Sequence, residues 1–90
     1  MNKAKYIVYT GDHGLEEMII FSELQTHSDI AQRLRVTGDI ISAGFLHVGT
    51  NVSGEAQASC YGDSVSLKVK AREEEDSVLA ERTLAISRDW

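Results

Sequence analysis

The chain has no proline, one cysteine, one tryptophan, and only nine basic residues against fourteen acidic ones. Without proline there is no proline-rich linker and no native cis-prolyl turn. A lone Cys60 excludes an intramolecular disulfide and fits a reducing compartment. The net charge of −5 argues against a nucleic-acid surface, which needs clustered lysine and arginine to displace counterions. Lys68, Lys70 and Arg72 alternate along one strand face, but Glu73, Glu74, Glu75 and Asp76 follow at once. No apolar segment reaches membrane-spanning length, and Met1 to Tyr6 lacks the apolar core of a signal peptide. The expected location is the cytosol. Ninety residues make one domain, small enough to gain stability from oligomerisation.

What is present is organised around the longest apolar run, Asp39 to Gly49. Read with period two, Ile41, Ala43, Phe45 and His47 share one face, and Ile40, Ser42, Gly44, Leu46 and Val48 the other. Both faces are apolar or small, as in a strand covered on two sides. Paired β-branched residues at its start and an internal glycine favour strand over helix. Gly44 marks a bulge or a close backbone approach.

Upstream, Lys5–Thr10 and Glu16–Ser22 read as an antiparallel hairpin joined by Gly11-Asp12-His13-Gly14. Both strands are apolar on both faces, so the hairpin is covered twice or meets a partner. A short helix follows. Thr26 caps it with Asp29 three positions on, and Ser28 is the competing cap. Ile30, Ala31 and Leu34 form its apolar face, Gln32, Arg33 and Arg35 point outward, and Gly38 is the expected stop.

Downstream, Glu55–Tyr61 alternates, with Ala56, Ala58 and Cys60 inward and Glu55, Gln57, Ser59 and Tyr61 outward. Gly62-Asp63 turns the chain, and Ser64–Lys70 repeats the pattern with Val65, Leu67 and Val69 inward. The acidic run Glu73–Asp76 opens a last helix reaching about Ala85, where carboxylates meet free N–H groups and the positive dipole end. Val78, Leu79, Arg82, Ala85 and Ile86 share a broad face, with Leu84 opposite, and Trp90 is either frayed or pinned in a groove. The order β-β-α-β-β-β-α describes an α+β domain: a mostly antiparallel sheet of about five strands with two helices on one face.

Candidate chemistry is sparse. His13, His27 and His47 show neither i, i+4 nor H-x-H spacing, and Cys60 has no second cysteine, so no metal and no cofactor is expected. Ser28, Ser42 and Cys60 are the possible nucleophiles, but no G-x-S-x-G elbow is present and Cys60 alternates with alanines. Two candidate surfaces remain. Thr26 and Ser28 at the helix opening, with His27 alongside and His47 at the end of the central strand, are ligand-binding candidates. Capping alone also explains that helix opening, and Asp29 repels anions. The polar outer row, Gln57, Ser59 and Tyr61 with Ser66 and Lys68, suits a wet protein interface.

Three motifs carry a resemblance: Thr26-His27-Ser28-Asp29-Ile30-Ala31, Ile40-Ile41-Ser42-Ala43-Gly44-Phe45 and Tyr61-Gly62-Asp63-Ser64-Val65-Ser66-Leu67. In that order they resemble short uncharacterised proteins of phage and prophage genomes. The resemblance implies an accessory protein of a phage or mobile element and supplies no catalytic residues. The expectation is a small acidic non-enzymatic module that binds another protein, as a homodimer and with a host protein as further partner. The alternatives are a small-ligand binder or enzyme with its site at a subunit interface, using His27, Ser28 or His47, and a virion structural component.

Overall fold

In the computed structural model, which describes residues 2–11, 13–33 and 39–88, the first strand is one of the two inner strands of the main sheet. β1 (Asn2–Thr10) lies between β2 (Glu16–Ser22) and β3 (Ile40–Thr50), and β3 carries β4 (Ala56–Tyr61) on its other side. Every pairing in this four-stranded sheet is antiparallel.

Tyr6, Ile7 and Val8 are good strand formers, and all three are wholly buried. Successive strand side chains point to opposite faces, so β1 feeds two cores. Tyr6 and Val8 join Leu46, Ala58, Cys60 and Ala80 on one face. Ile7 joins Ala43 and Ile30 on the other. Ala80 belongs to α2 (Glu73–Arg88) and Ile30 to α1 (His27–Arg33). The α+β class, the antiparallel sheet and the two helices agree with the sequence reading. The placement of both helices on one face does not: they cover opposite faces. The reason is that β1 and β3 are apolar on both sides. Leaving either side in water would forfeit about 1.5–3 kcal/mol per large side chain.

A bulge refines the central strand. Val8 pairs with Ser42 but Tyr9 pairs with Ile40, so Ile41 is the extra residue. Ile41 therefore packs with the Tyr6 core and Ile40 with the Ile7 core. Strict alternation groups Ile41 with Ala43 instead. The expected close approach at Gly44 is real: a Cβ there would stand 2.5 Å from the Tyr61 carbonyl oxygen.

The expected strand Ser64–Lys70 is instead a two-stranded ribbon, β5 (Asp63–Ser64) and β6 (Val69–Lys70), making six strands in two sheets among the described residues. Lys68 takes a left-handed φ of 59° in the connecting turn, and the Ser64 hydroxyl accepts the Leu67 N–H at 3.3 Å. This local bonding inverts the expected pattern: Ser64 is buried and Val65 is exposed. Leu67 and Val69 do turn inward, onto the Ile7 core.

Thr26 caps α1, its Oγ1 accepting the Asp29 N–H at 3.2 Å. Ile30 is buried, while Gln32 and Arg33 are exposed, as expected. The expectations for Leu34, Arg35, Gly38 and Trp90 lie outside the described residues.

Helix α2 runs three residues beyond the expected end. Its packed face is Asp76, Leu79, Ala80 and Leu84, whereas Val78 and Arg82 are exposed. The acidic run accounts for this shift. Glu73, Glu74 and Glu75 are solvated, but Asp76 is wholly buried. Asp76 Oδ2 accepts the Tyr6 hydroxyl at 2.6 Å and the Arg72 N–H at 2.9 Å. The Arg72 guanidinium bonds Asp76 Oδ1 and reaches Glu16 on β2. Hydrogen bonds from Arg72 hold the Glu16 carboxyl below the usual carboxylate range.

The same helix closes one edge of the sheet. The outward amides of Ala58 and Cys60 on β4 donate to Glu81 Oε2 at 3.2 Å and Ser77 Oγ at 2.9 Å. Among the described residues no helix is long and apolar enough to cross a membrane.

Candidate binding surface

Half of the sheet face that carries α1 is left open. Its Ile7 end lies under α1 and the ribbon. The other end carries Lys3 and Lys5 from β1, Phe45 and His47 from β3, and Gln57, Ser59 and Tyr61 from β4. Alternation along three strands puts these side chains on one side. Register then sets the neighbours: Lys5 opposite Phe45, Phe45 opposite Tyr61, Lys3 opposite His47 and His47 opposite Ser59.

The rings form a row. Tyr61 stacks on His47 at 5.1 Å between centroids and on Phe45 at 5.8 Å. Phe45 meets the edge of His27 at 5.9 Å, and His27 meets Phe21 at 5.5 Å. Aromatic pairs in these geometries contribute about 0.5–1.5 kcal/mol each beyond their area. The Lys3 and Lys5 ammoniums stand 5.2 and 5.8 Å from the Phe45 centroid. Lys5 Nζ also donates to the Gln25 carbonyl at 2.8 Å, which tethers the loop before α1. Lys3 sits 4.0 Å from Glu23, both side chains being nearly half exposed, a pairing worth little in water.

The turn after β4 makes room for the row. Gly62 has a φ of 81°, and a Cβ there would lie 3.1 Å from Phe45 Cδ2. Phe45, His47 and Tyr61 are half-buried, while Lys3, Gln57 and Ser59 are exposed. The Nδ1 of His47 is buried without a hydrogen-bond partner among the described residues.

Of the ligand-binding candidates, the structure joins His27 and His47 through Phe45 and Tyr61. It does so with His27 buried, its Nε2 donating to the Gly44 carbonyl at 2.9 Å. Burial, and secondarily the Lys5 charge, pull the His27 pKa below its ordinary value against the raising effect of the Gly44 bond. Thr26 stays at the helix mouth as a cap, beside a hollow of about 300 Å³ lined with Asp29 and Arg33. Ser28 is half-buried on α1. Of the interface candidates, Gln57, Ser59 and Tyr61 share the open face, whereas Ser66 and Lys68 sit in the turn between β5 and β6.

Phe45, Lys3 and Lys5 are the members of this surface that sequence reasoning missed. The signal was present in part: Phe45 and His47 share a face by period two. What was absent was the strand order that sets β1 beside β3. Among the described residues no group of three or more histidine, cysteine or acidic residues is placed to hold a metal. Comparison with known proteins gives no match to any protein family, curated protein or solved structure.

Proposed function

We propose that the protein is a small non-enzymatic protein-binding module and that the open aromatic face is where its partner docks. The observation that carries this reading is the row His47–Tyr61–Phe45, stacked on a sheet face and edged by Lys3, Lys5, Gln57 and Ser59. Aromatic anchors inside a polar rim are the composition of binding hot spots. The two ammoniums favour a partner that presents carboxylates beside an apolar group. In the phage or mobile-element setting that the sequence resembles, that partner is a host protein.

The test is capture from host lysate on the immobilised full chain, with captured proteins identified by mass spectrometry. A protein retained by the wild type, lost from Tyr61→Ser and from Lys3→Glu, and kept by Glu74→Lys on exposed α2 supports the reading. Equal retention by all four chains sinks it.

A second reading, a small-ligand site, is favoured by the buried His47 Nδ1, which has no partner among the described residues. Native mass spectrometry separates the two. A small bound mass that His47→Ala removes would displace the protein-binding reading.

A further inference from the structure

The two edges of the sheet are treated differently. The β4 edge is closed, its outward amides bonded to Glu81 and Ser77 of α2. The β2 edge is not. Thr10 N–H donates toward β3, to Asp39, and Gly11 N–H donates toward β2, to Leu15. The ladder alternates from there, so the outward backbone groups of β2 belong to Glu16, Met18, Ile20 and Ser22. Among the described residues none bonds to the outward N–H or C=O of Met18 or Ile20.

Such an edge is a template for another strand. Natural sheets blunt open edges with lysine, proline, bulges or a covering helix. The strand Glu16–Ser22 has no lysine and no proline, and its pairing with β1 runs without a register shift. Its middle, Met18-Ile19-Ile20-Phe21, is apolar on both faces and only half-buried.

We infer that β2 pairs antiparallel with β2 of a second copy, joining two four-stranded sheets into one of eight strands. The occupant is argued from the strand's own sequence. A two-fold axis through Ile19 overlaps the whole strand. It sets Met18 against Ile20, Glu16 against Ser22, Glu17 against Phe21 and Ile19 against its own copy. No like charges face each other. Sliding two residues one way sets Glu17 against Glu23; sliding the other way sets Glu16 against Ile20 and shortens the ladder. A second copy also continues both cores, with Met18 and Ile20 on the α2 face and Ile19 and Phe21 on the α1 face. A foreign peptide would have to be apolar on both sides to do the same. This inference is independent of the aromatic face.

Sedimentation equilibrium of the full chain tests it, with two variants. Ile20→Pro removes an outward N–H and leaves the β1 ladder intact. Ile19→Cys, made in a Cys60→Ser background, places a thiol opposite its own copy at a non-hydrogen-bonded pair, within reach of a disulfide. The expected results are a mass twice the 9.9 kDa chain, reversion to monomer in Ile20→Pro, and covalent dimer on mild oxidation of Ile19→Cys. Leu24→Cys, exposed beyond the strand, should cross-link far less. A monomer throughout the micromolar range overturns the inference. So does a dimer that links through Leu24→Cys but not Ile19→Cys, and so does a monomer whose β2 amides respond only to a different protein.

Discussion

The Tyr6 hydroxyl and the Asp76 carboxylate, seventy positions apart, meet in a buried 2.6 Å hydrogen bond. Tyr6 is on an inner strand and Asp76 in the first turn of α2, so the bond fixes the start of the helix to the sheet. Arg72 turns that point into a clamp by bonding Asp76 and Glu16 together. Burial first, then Asp76, pushes the Tyr6 hydroxyl well above its ordinary range, so it remains a donor. Tyr6→Phe should cost about 1.5–3 kcal/mol, the usual loss for a hydrogen bond to a charged group. Asp76→Asn should cost more, about 3 kcal/mol. That is the low end for breaking a buried ion pair, because Arg72 is partly open to water. Urea unfolding midpoints of the two variants check the order.

Cys60 lies in the same core, and burial pushes its thiol up to about 11. The thiolate is the reactive form. Near neutral pH the folded chain should therefore react with a disulfide-exchange reagent far more slowly than the chain in denaturant. Rapid stoichiometric labelling of the native protein would contradict this placement.

His27 gives stability a pH dependence. Its folded pKa lies below the ordinary value of 6.5, burial being the larger cause. Below that value the unfolded chain takes up the proton more readily than the folded one. The contribution is thus complete above 6.5 and is lost as pH falls toward the folded value. The unfolding midpoint should drop on acidification through this window. His27→Gln, which keeps a donor for Gly44 but does not titrate, should flatten the drop while His13 and His47 remain.

Gly44 is required for space. Its φ is not left-handed, yet an added Cβ would meet the Tyr61 carbonyl at 2.5 Å and Ala71 Cβ at 3.3 Å. Backbone on one side and a packed methyl on the other leave no flexible neighbour to yield. Gly44→Ala should cost about 3 kcal/mol, the upper range for overpacking. It should also disturb Phe45 and Tyr61, which thermal denaturation and aromatic proton shifts report together.

The elements were legible where local pattern decides them. Glu16–Ser22 matches its expected bounds, and Thr26 is the cap that the spacing of Thr26 and Asp29 implies. Pattern failed where a distant group decides. Asp76 reads as one more carboxylate at a helix N-terminus because its partner Tyr6 is seventy residues away. Val65 looked inward because alternation assumes a strand, and the Ser64 hydroxyl made a turn instead. The sequence reading sets both helices on one face, although the apolar residues on both sides of the central strand already demand two covers. The aromatic surface is half legible: Tyr61, Ser59 and Gln57 fall in one expected site and His47 in another. Only the order β2-β1-β3-β4 unites them.

That strand order also fixes a sequence of events. As the chain leaves the ribosome, β1 and β2 can close their hairpin at once. The other side of β1 must wait until β3 emerges some thirty residues later. Through that interval Tyr6, Ile7 and Val8, wholly buried in the finished fold, have neither lid nor second neighbour. The nascent protein is then at its stickiest, and slow or paused translation between Ser22 and Thr50 should divert more of it to chaperones or inclusion bodies.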